Sequence, residues 1–254
     1  MTTLVSCLMV TRDRVELARR AVDCFAAQTW PDKELVIVDD GDADYAPMIA
    51  PYVDRGLAIR YVKLTPEHGR LLGSLRNLSI DHAAGEWCLQ WDDDEWYHPD
   101  RIATQMRARG DAAAVALKWT LVDVPTEGHG RLSFRADSGI ATPGTVLHHR
   151  DAARYPNLAR NEDGVFLAAA RRNGLAVLGK ESSHLFVRCY HGANTWDQQH
   201  FLRRLRRRPA DWLPYARTVI TGDIRRHPAF VLEPREANTI AALHAYRPHG
   251  VEAR

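Results

Sequence analysis

Short apolar runs and longer amphipathic segments alternate along the first 120 residues of the chain. The amphipathic segments, with apolar side chains recurring every three or four positions, indicate helices at 15–28, 44–53, 69–84 and after Pro99. The apolar runs indicate strands at 4–10, 34–38, 58–64, 86–91 and 113–119. Strands that alternate with helices at this spacing are typical of βαβ units. The pattern therefore predicts an α/β fold in which a mostly parallel sheet is flanked by helices.

The pattern loosens after about residue 120. Short strand-like pieces lie among glycines and prolines at 132–134 and 145–148, a helix is indicated at 165–172, and a strand at 183–190. From residue 197 onward the chain is basic and partly helical. We therefore predict a main domain at 1–196, made of a first half at about 1–120 and a smaller mixed region at about 121–196. A C-terminal extension, 197–254, follows it.

Polar side chains follow three of the predicted strands at the point where each strand ends. They are Thr11 after the first strand, Asp39 and Asp40 after the second, and the acidic run Asp92–Glu95 after the fourth. Ligands bind beyond the carboxyl ends of the strands in open α/β sheets, so these positions should meet at one edge. Because adjacent carboxylates repel one another, the acidic run predicts a divalent cation held by oxygen ligands, with a solvated acidic turn as the alternative.

Composition narrows the class of protein. The chain has 254 residues, 45% hydrophobic and 26% charged, with a formal net charge of +2. This favours a globular protein with one large core and argues against a general polyanion binder. The four cysteines (Cys7, Cys24, Cys88 and Cys189) are far apart, so we expect no disulfides and a cytoplasmic location. No signal peptide or membrane-spanning helix is expected.

Three further features have both a functional and an ordinary interpretation. Asn161-Glu162-Asp163 precedes a predicted helix, so its carboxylates either cap that helix or perform chemistry. His191 follows a strand and is either a surface histidine or a metal ligand. The five arginines within 203–208 mark either a solvated helix face or a surface for an anionic partner.

Several motifs, in this order, resemble the family-2 inverting nucleotide-sugar glycosyltransferases. They occupy residues 5–13, 34–41, 76–86, 91–96 with Pro99, and 161–163, so that the resemblance covers about 4–196. Two positions depart from the usual pattern. Asp42 follows Gly41 where a serine is common, and Glu95 follows three consecutive aspartates. The second departure blurs which carboxylates would contact a metal.

The resemblance implies a GT-A fold, Rossmann-like, with a nucleotide-binding first half and an acceptor-side second half. It implies a Mn²⁺ or Mg²⁺ ion held by Asp94 and Asp92, with His191 as a third contact. Asp163 would be the general base, and Glu162 and Trp196 would lie on the acceptor side. The donor would be a nucleoside diphosphate sugar, with UDP favoured, contacted by Thr11, Arg12, Asp39, Asp40, Arg76, Asp92 and Asp93. Asp39 could instead orient the loop.

The partners implied are the nucleotide sugar and a glycan, lipid-linked or small-molecule acceptor, with no specific nucleic acid. A peripheral contact with the inner face of a membrane through Arg203–Arg208 is also open. An alternative enzyme is a metal-dependent sugar-phosphate nucleotidyltransferase, but it would carry a glycine- and arginine-rich loop after the first strand. Residues 11–14 (Thr-Arg-Asp-Arg) contain no glycine. The remaining alternative is a binding module that uses the arginine run.

Overall fold

The computed structural model describes residues 2–67, 69–126, 130–158 and 160–248. The described strands are β1 (Val5–Thr11), β2 (Lys33–Asp39), β3 (Ile59–Lys63), β4 (Trp87–Gln90), β5 (Trp96–Tyr97), β6 (Ala114–Leu117), β7 (Trp119–Thr126), β8 (Gly130–Asp137), β9 (Leu147–His149), β10 (Leu175–Leu178) and β11 (Phe186–Cys189). The α-helices are α1 (Val15–Ala26), α2 (Ala46–Asp54), α3 (Leu72–Asp81), α4 (Arg101–Ala108), α5 (Glu162–Arg172), α6 (Gln198–Leu202), α7 (Pro209–Thr221) and α8 (Pro234–Ala245).

The larger sheet has seven strands in the order β10-β6-β9-β4-β1-β2-β3. All neighbours in it are parallel except at β9, which runs antiparallel between β4 and β6. One apolar cluster packs α1, α2 and α4 against one face, and a second packs α3 and α5 against the other. The predicted mostly parallel α/β sheet flanked by helices is confirmed.

Strand register brings the predicted polar positions to one edge of this sheet. Thr11 lies beside Asp39 in the β1–β2 pair, and Leu8 lies beside Gln90 in the β1–β4 pair. The acidic run therefore begins two residues after β4 ends, next to the end of β1. The carboxyl ends of three parallel strands thus supply one continuous rim of polar side chains.

A second, four-stranded sheet has the order β5-β11-β7-β8 and mixes parallel and antiparallel pairs. Its strand β5 precedes residue 120, whereas β9 and β10, which follow that residue, belong to the larger sheet. The smaller mixed region expected at about 121–196 therefore stays a prediction. Two boundaries differ from the sequence-based predictions. The strand predicted at 183–190 is a 3₁₀-helix at Lys180–Leu185 followed by β11. Helix α5 begins at Glu162 rather than 165, so the acidic pair lies inside its first turn.

The chain beyond residue 197 is largely helical and packs back onto the second sheet. A 3₁₀-helix at Arg203–Arg206 separates α6 from α7. Helix α8 contributes Ile240 and Leu243 to an apolar cluster with Leu121 and Val187. Among the described helices, none combines the length and the apolar character that crossing a membrane would require.

Candidate active site

A cleft of about 420 Å³ opens at the carboxyl edge of the larger sheet. Its walls come from the segments after β1, β2 and β4, the first turn of α5 and the loop after β11. The lining residues that matter below are Thr11, Arg12, Arg14, Asp40, Arg70, Arg76, Asp92, Asp93, Asp94, Glu162, Asp163 and Trp196. The topology alone brings these distant parts of the sequence together.

Asp40 is a buried carboxylate that is only partly satisfied by the protein. Arg70 donates to its Oδ1, while Arg12 Nη1 lies 3.9 Å from its Oδ2. Oδ2 is buried and has no hydrogen-bond partner among the described residues. Buried polar atoms are nearly always paired, so this oxygen can accept a hydrogen bond from a bound ligand.

Asp39 has a different position, although it adjoins Asp40. It is fully buried and does not line the cleft. Its Oδ1 accepts from the Gly41 amide (2.9 Å), and its Oδ2 accepts from Tyr61 Oη (2.8 Å) and Lys63 Nζ (2.9 Å). In the structure Asp39 thus contacts the loop after β2 and not the cleft, which favours the loop-orienting alternative; its predicted contact with the nucleotide stays untested.

The first two carboxylates of the acidic run have different partners. Asp92 lies 3.1 Å from both Arg76 Nη2 and Gln90 Nε2. Asp93 is buried and accepts a 2.6 Å hydrogen bond from Thr11 Oγ1. Burial and the neighbouring Asp94 raise the pKa of Asp93 to about 7. Asp93 is thus held inside the rim by β1.

Asp94 is the carboxylate that meets the predicted histidine. Its Oδ2 lies 3.1 Å from His191 Nε2 and 3.2 Å from Arg14 Nη1. Burial alone would raise the pKa of Asp94, but the hydrogen bond with His191 and the charge of Arg14 outweigh it and lower the pKa. Asp94 is therefore held in its ionised form, as a metal ligand must be.

Glu95 points away from this pair, towards the second sheet. Its Oε2 accepts from the Cys189 amide (2.6 Å), and Arg188 Nε lies 3.9 Å from its Oε1. Burial and the charge of Asp94 raise its pKa well above the usual value. Glu95 thus anchors the acidic turn to β11, while it still lines the cleft beside the three aspartates.

The described residues contain no group of three or more His, Cys, Asp or Glu side chains arranged to hold a metal ion. Two donor atoms nevertheless fit one. Asp94 Oδ2 and His191 Nε2 are 3.1 Å apart, and adjacent ligands in an octahedral shell at about 2.1 Å from the metal are about 3 Å apart. The pair could therefore hold a Mn²⁺ or Mg²⁺ ion by two of its coordination positions, which would leave the other positions open to further ligands.

The first turn of α5 forms the opposite wall. Asp163 is half-buried, and its Oδ1 accepts from the Gly164 amide (2.7 Å). Glu162 accepts from Arg76 Nε (3.2 Å), and burial raises its pKa despite that arginine. Asn161, at the N-cap, has φ +62° and makes no side-chain cap. Arg76 therefore bridges the two walls, because it also donates to Asp92.

A second cavity of about 300 Å³ adjoins the cleft. Asp92, Glu95, Asn161, Asp163, Arg188 and Trp196 line both spaces. Asp163 thus lies on the boundary between them. Arg204 and Arg207 line only the second cavity, together with His200 and Ser138.

The arginine run does not form one helix face, as its ordinary interpretation would require. Arg204 and Arg207 line the second cavity, while Arg203 and Arg206 are exposed outside both cavities. Arg208 donates to Asp137 (3.0 Å) and Asp211 (2.6 Å). The membrane contact through this run stays a prediction.

Most of the predicted site residues meet at the cleft, but two arginines were missed. Thr11, Arg12, Asp40, Arg76, Asp92, Asp93, Asp94, Glu162, Asp163 and Trp196 line it, and His191 contacts Asp94. Arg14 and Arg70, which pair with Asp94 and Asp40, were not predicted. Arg14 follows β1 closely enough to have been a candidate, whereas Arg70 lies between β3 and α3 with no motif around it.

The model of a glycosyltransferase family, described as "Glycosyl transferase family 2", matches residues 6–150, more than half of the chain. EpsH of Bacillus subtilis (strain 168), whose name assigns it to the glycosyltransferases, is 32% identical over 110 residues, 43% of this chain and 31% of EpsH. Succinoglycan biosynthesis protein ExoO of Rhizobium meliloti (strain 1021) is 32% identical over 105 residues, 41% of this chain and 29% of ExoO. The chain spans about a third of the length of these relatives.

Solved structures share the fold. TarS 1-349 of S. aureus aligns with a TM-score of 0.60 and 17% identity, over 93% of this chain and 77% of that one. The mannosyltransferase PcManGT of Pyrobaculum calidifontis aligns with a TM-score of 0.56 and 17% identity, over 97% and 77%. The GT-A fold and the glycosyltransferase class predicted from the motifs are confirmed, and the chain belongs to glycosyl transferase family 2.

Proposed function

We propose that the protein transfers a glycosyl group from a nucleoside diphosphate sugar to an acceptor hydroxyl, with a divalent metal and with inversion of configuration. The observation that carries this proposal is the position of Asp163. It lies where the cleft that holds Asp40 and Asp94 meets the second cavity. A base that takes a proton from an acceptor must touch both the donor space and the acceptor space, and Asp163 does so.

The cleft offers separate contacts for each part of a nucleotide sugar. The unpaired Oδ2 of Asp40 can accept a hydrogen bond from a ring N–H of the base, with Thr11 and Arg12 on the same wall. Arg14 and Arg76 supply positive charge for a diphosphate. TarS has been solved with UDP and with UDP-GlcNAc, and PcManGT with GDP-Man and Mn²⁺. These complexes support a nucleotide sugar for this chain, and we propose UDP as its nucleotide.

Asp94 and His191 would hold the metal ion, and Asp92 would stay with Arg76 beside them. The ion supplies charge neutralisation for the departing diphosphate when it is bound. The protein's own contribution is to keep Asp94 ionised through Arg14 and His191 and to orient Asp92 through Arg76 and Gln90. In this arrangement Asp92 mainly pairs with Arg76, and its direct ligation of the metal stays a prediction.

Asp163 would accept the proton of the acceptor hydroxyl while that oxygen forms its bond to the anomeric carbon. The Gly164 amide holds Oδ1, which leaves Oδ2 for the hydroxyl. Attack from the side opposite the diphosphate inverts the anomeric configuration. The similarity to ExoO, a succinoglycan biosynthesis protein, supports a glycan acceptor.

Replacement of Asp163 tests the proposal. We expect Asp163→Asn to lower kcat about 10²- to 10⁴-fold with little change in nucleotide affinity, because general-base assistance is worth about that much. Asp151→Asn, at a carboxylate 83% exposed outside both cavities, is the matched control. Turnover of the Asp163 variant close to that of the control would remove Asp163 from the role.

The products distinguish this proposal from the nucleotidyltransferase alternative. A sugar nucleotide incubated with the protein, Mn²⁺ and an acceptor should release nucleoside diphosphate. A nucleotidyltransferase would instead consume the sugar nucleotide only when pyrophosphate is added, and would form nucleoside triphosphate and a sugar 1-phosphate. Proton NMR of the new linkage should show the anomer opposite to that of the donor. A retained anomer would contradict a single displacement.

A further inference from the structure

The second cavity has an excess of positive charge at the end away from the donor cleft. Arg204 and Arg207 line that end, whereas Arg188 lies on the side shared with the cleft, where its Nε is 3.9 Å from Glu95 Oε1. The carboxylates on the cavity walls all lie on that shared side: Asp92, Glu95 and Asp163. The guanidinium groups of Arg204 and Arg207 therefore face a space in which they form no ion pair with any described residue.

The hydrogen bonding of Arg204, like its charge, is only partly satisfied by the protein. Its Nη1 donates to Ser138 Oγ at 2.9 Å. Its Nε is buried and has no hydrogen-bond partner, and no ion pair is seen for it within the described ranges. An arginine with a buried unpaired donor on a cavity wall is placed to receive an oxyanion, because its N–H groups match phosphate and carboxylate oxygens in pairs.

The pKa values of two residues on the cavity wall reflect their burial and the arginines around them. Burial and the charges of Arg188 and Arg207 lower the pKa of Arg204 to about 9. Burial, followed by the charges of Arg188 and Arg204, lowers the pKa of His200 to about 4, so its imidazole is neutral near pH 7. His200 stacks on Trp196 with ring centroids 4.7 Å apart, which adds a flat wall between the two cavities.

We propose that the second cavity binds an oxyanion carried by the acceptor, a phosphate group in the best match to two neighbouring arginines, and so brings the acceptor hydroxyl to Asp163. This inference rests on the proposed glycosyl transfer and adds the chemical class of the acceptor. Arg204 and Arg207 bind the anionic group, Arg188 lies between it and the donor cleft, and Asp163 stands on the shared boundary. An uncharged acceptor would leave the guanidinium groups facing solvent only.

Inorganic phosphate is the probe that tests the cavity without requiring turnover. It is titrated calorimetrically into the full chain, with and without saturating UDP and Mg²⁺, so that binding in the donor cleft can be told apart from binding beside Arg204. We expect phosphate to bind in both conditions and Arg204→Gln to weaken that binding about 10- to 100-fold, the usual effect of losing hydrogen bonds to a charged group.

Arg206→Gln is the matched control, since it removes the same charge from the same run at an exposed position outside both cavities. Arg207→Gln, at an exposed residue, keeps the test valid if Arg204→Gln does not fold. Phosphate binding that disappears once UDP is bound would assign the anion to the donor diphosphate and overturn the proposal. Equal weakening by the Arg204 and Arg206 variants would overturn it as well.

Turnover gives a second and separate readout. With a glycoside acceptor and its phosphorylated counterpart, KM should be at least about tenfold lower for the phosphorylated one. That preference should collapse in Arg204→Gln and persist in Arg206→Gln. An equal KM for the two acceptors in the wild type contradicts the inference while leaving glycosyl transfer intact. Failure to consume any sugar nucleotide, with phosphate still bound beside Arg204, would instead contradict the proposed function alone.

Discussion

Three neighbouring aspartates have different surroundings, because each meets a different set of partners. Asp92 lies against Arg76 and Gln90, Asp93 accepts from Thr11, and Asp94 faces His191. Their order along the turn after β4 determines which direction each side chain takes. Only Asp94 combines an ionised carboxylate with a second donor atom at the spacing of two metal ligands, so we infer that it is the main metal contact.

A matched pair of isosteric substitutions tests this inference. We expect Asp94→Asn to abolish the rise in Tm that a nucleoside diphosphate gives only with Mn²⁺ present, because ligand binding stabilises the native state by mass action. Asp93→Asn should keep at least part of that rise, since Asp93 is held by Thr11 inside the rim. Equal losses in the two variants would show that the assignment along the acidic run is wrong.

The residue positions that the sequence predicted are those carried by a motif, and the ones it missed are arginines. Asp40 and Asp94 follow apolar strands, so their place at the sheet edge follows from topology. Arg14 extends its long side chain to the same edge from the loop after β1, and Arg70 does so from the segment between β3 and α3. The position of an arginine side chain depends on where its carboxylate partner lies, which local sequence does not state.

At the scale of elements, β9 and α5 support the wall that carries Asp163. His148 of β9 is fully buried and meets Phe166 of α5 with ring centroids 4.8 Å apart. Its Nδ1 lies 2.9 Å from the His149 carbonyl oxygen, and its Nε2 has no partner among the described residues. Burial, together with the charges of His149 and Arg154, lowers the pKa of His148 to about 4.

This buried histidine predicts an acid-sensitive fold. Its pKa is lower in the folded chain than in the unfolded chain, so the unfolded state binds more protons between about pH 6.5 and pH 4. As the pH is lowered through that window, the contribution of this residue should decrease the free energy of unfolding by on the order of 2–3 kcal/mol. His148→Leu, which keeps an apolar body at the position, should flatten the dependence of Tm on pH there. His149→Leu, at the half-buried neighbour, should not, and identical slopes for wild type and His148→Leu would contradict the assignment.

The order of elements could be predicted only in part. The parallel core from β1 to β4 follows from local periodicity, whereas β9 enters the sheet between β4 and β6 from more than 25 positions further along the chain. Local apolar patterns indicate that a strand exists but not which neighbour it pairs with. The short β10 at Leu175–Leu178 was missed for a related reason, because it is a four-residue edge strand directly after a helix.

At the scale of the whole molecule, the C-terminal helices are tied into the second sheet by buried polar contacts. Glu236 of α8 is buried, and its carboxylate accepts hydrogen bonds from Arg135 of β8 and from Ser183. It also accepts a 2.7 Å hydrogen bond from the backbone amide of Glu233, the N-cap residue of α8. Tyr246 donates to Asp23 of α1 at 2.7 Å. We therefore expect α8 to unfold together with the sheet. The predicted boundary at residue 196 stays a prediction. The Arg135–Glu236 pair could not be predicted from the sequence, because both residues look there like ordinary surface charges.

Removal of one partner from this pair should reveal the coupling. Glu236→Ala leaves Arg135 buried without its counter-charge, and such a loss typically costs about 3–5 kcal/mol. We expect urea unfolding to remain a single transition at a lower midpoint, because α8 and β8 share one cooperative unit. Glu233→Ala, which removes an exposed carboxylate at the start of the same helix, should cost about 1 kcal/mol. The double variant Arg135→Met, Glu236→Leu should recover most of the loss, since it removes the isolated charge. A separate early transition in Glu236→Ala, or a cost no larger than that of Glu233→Ala, would mean that α8 contributes little to the stability of the sheet that shapes the second cavity.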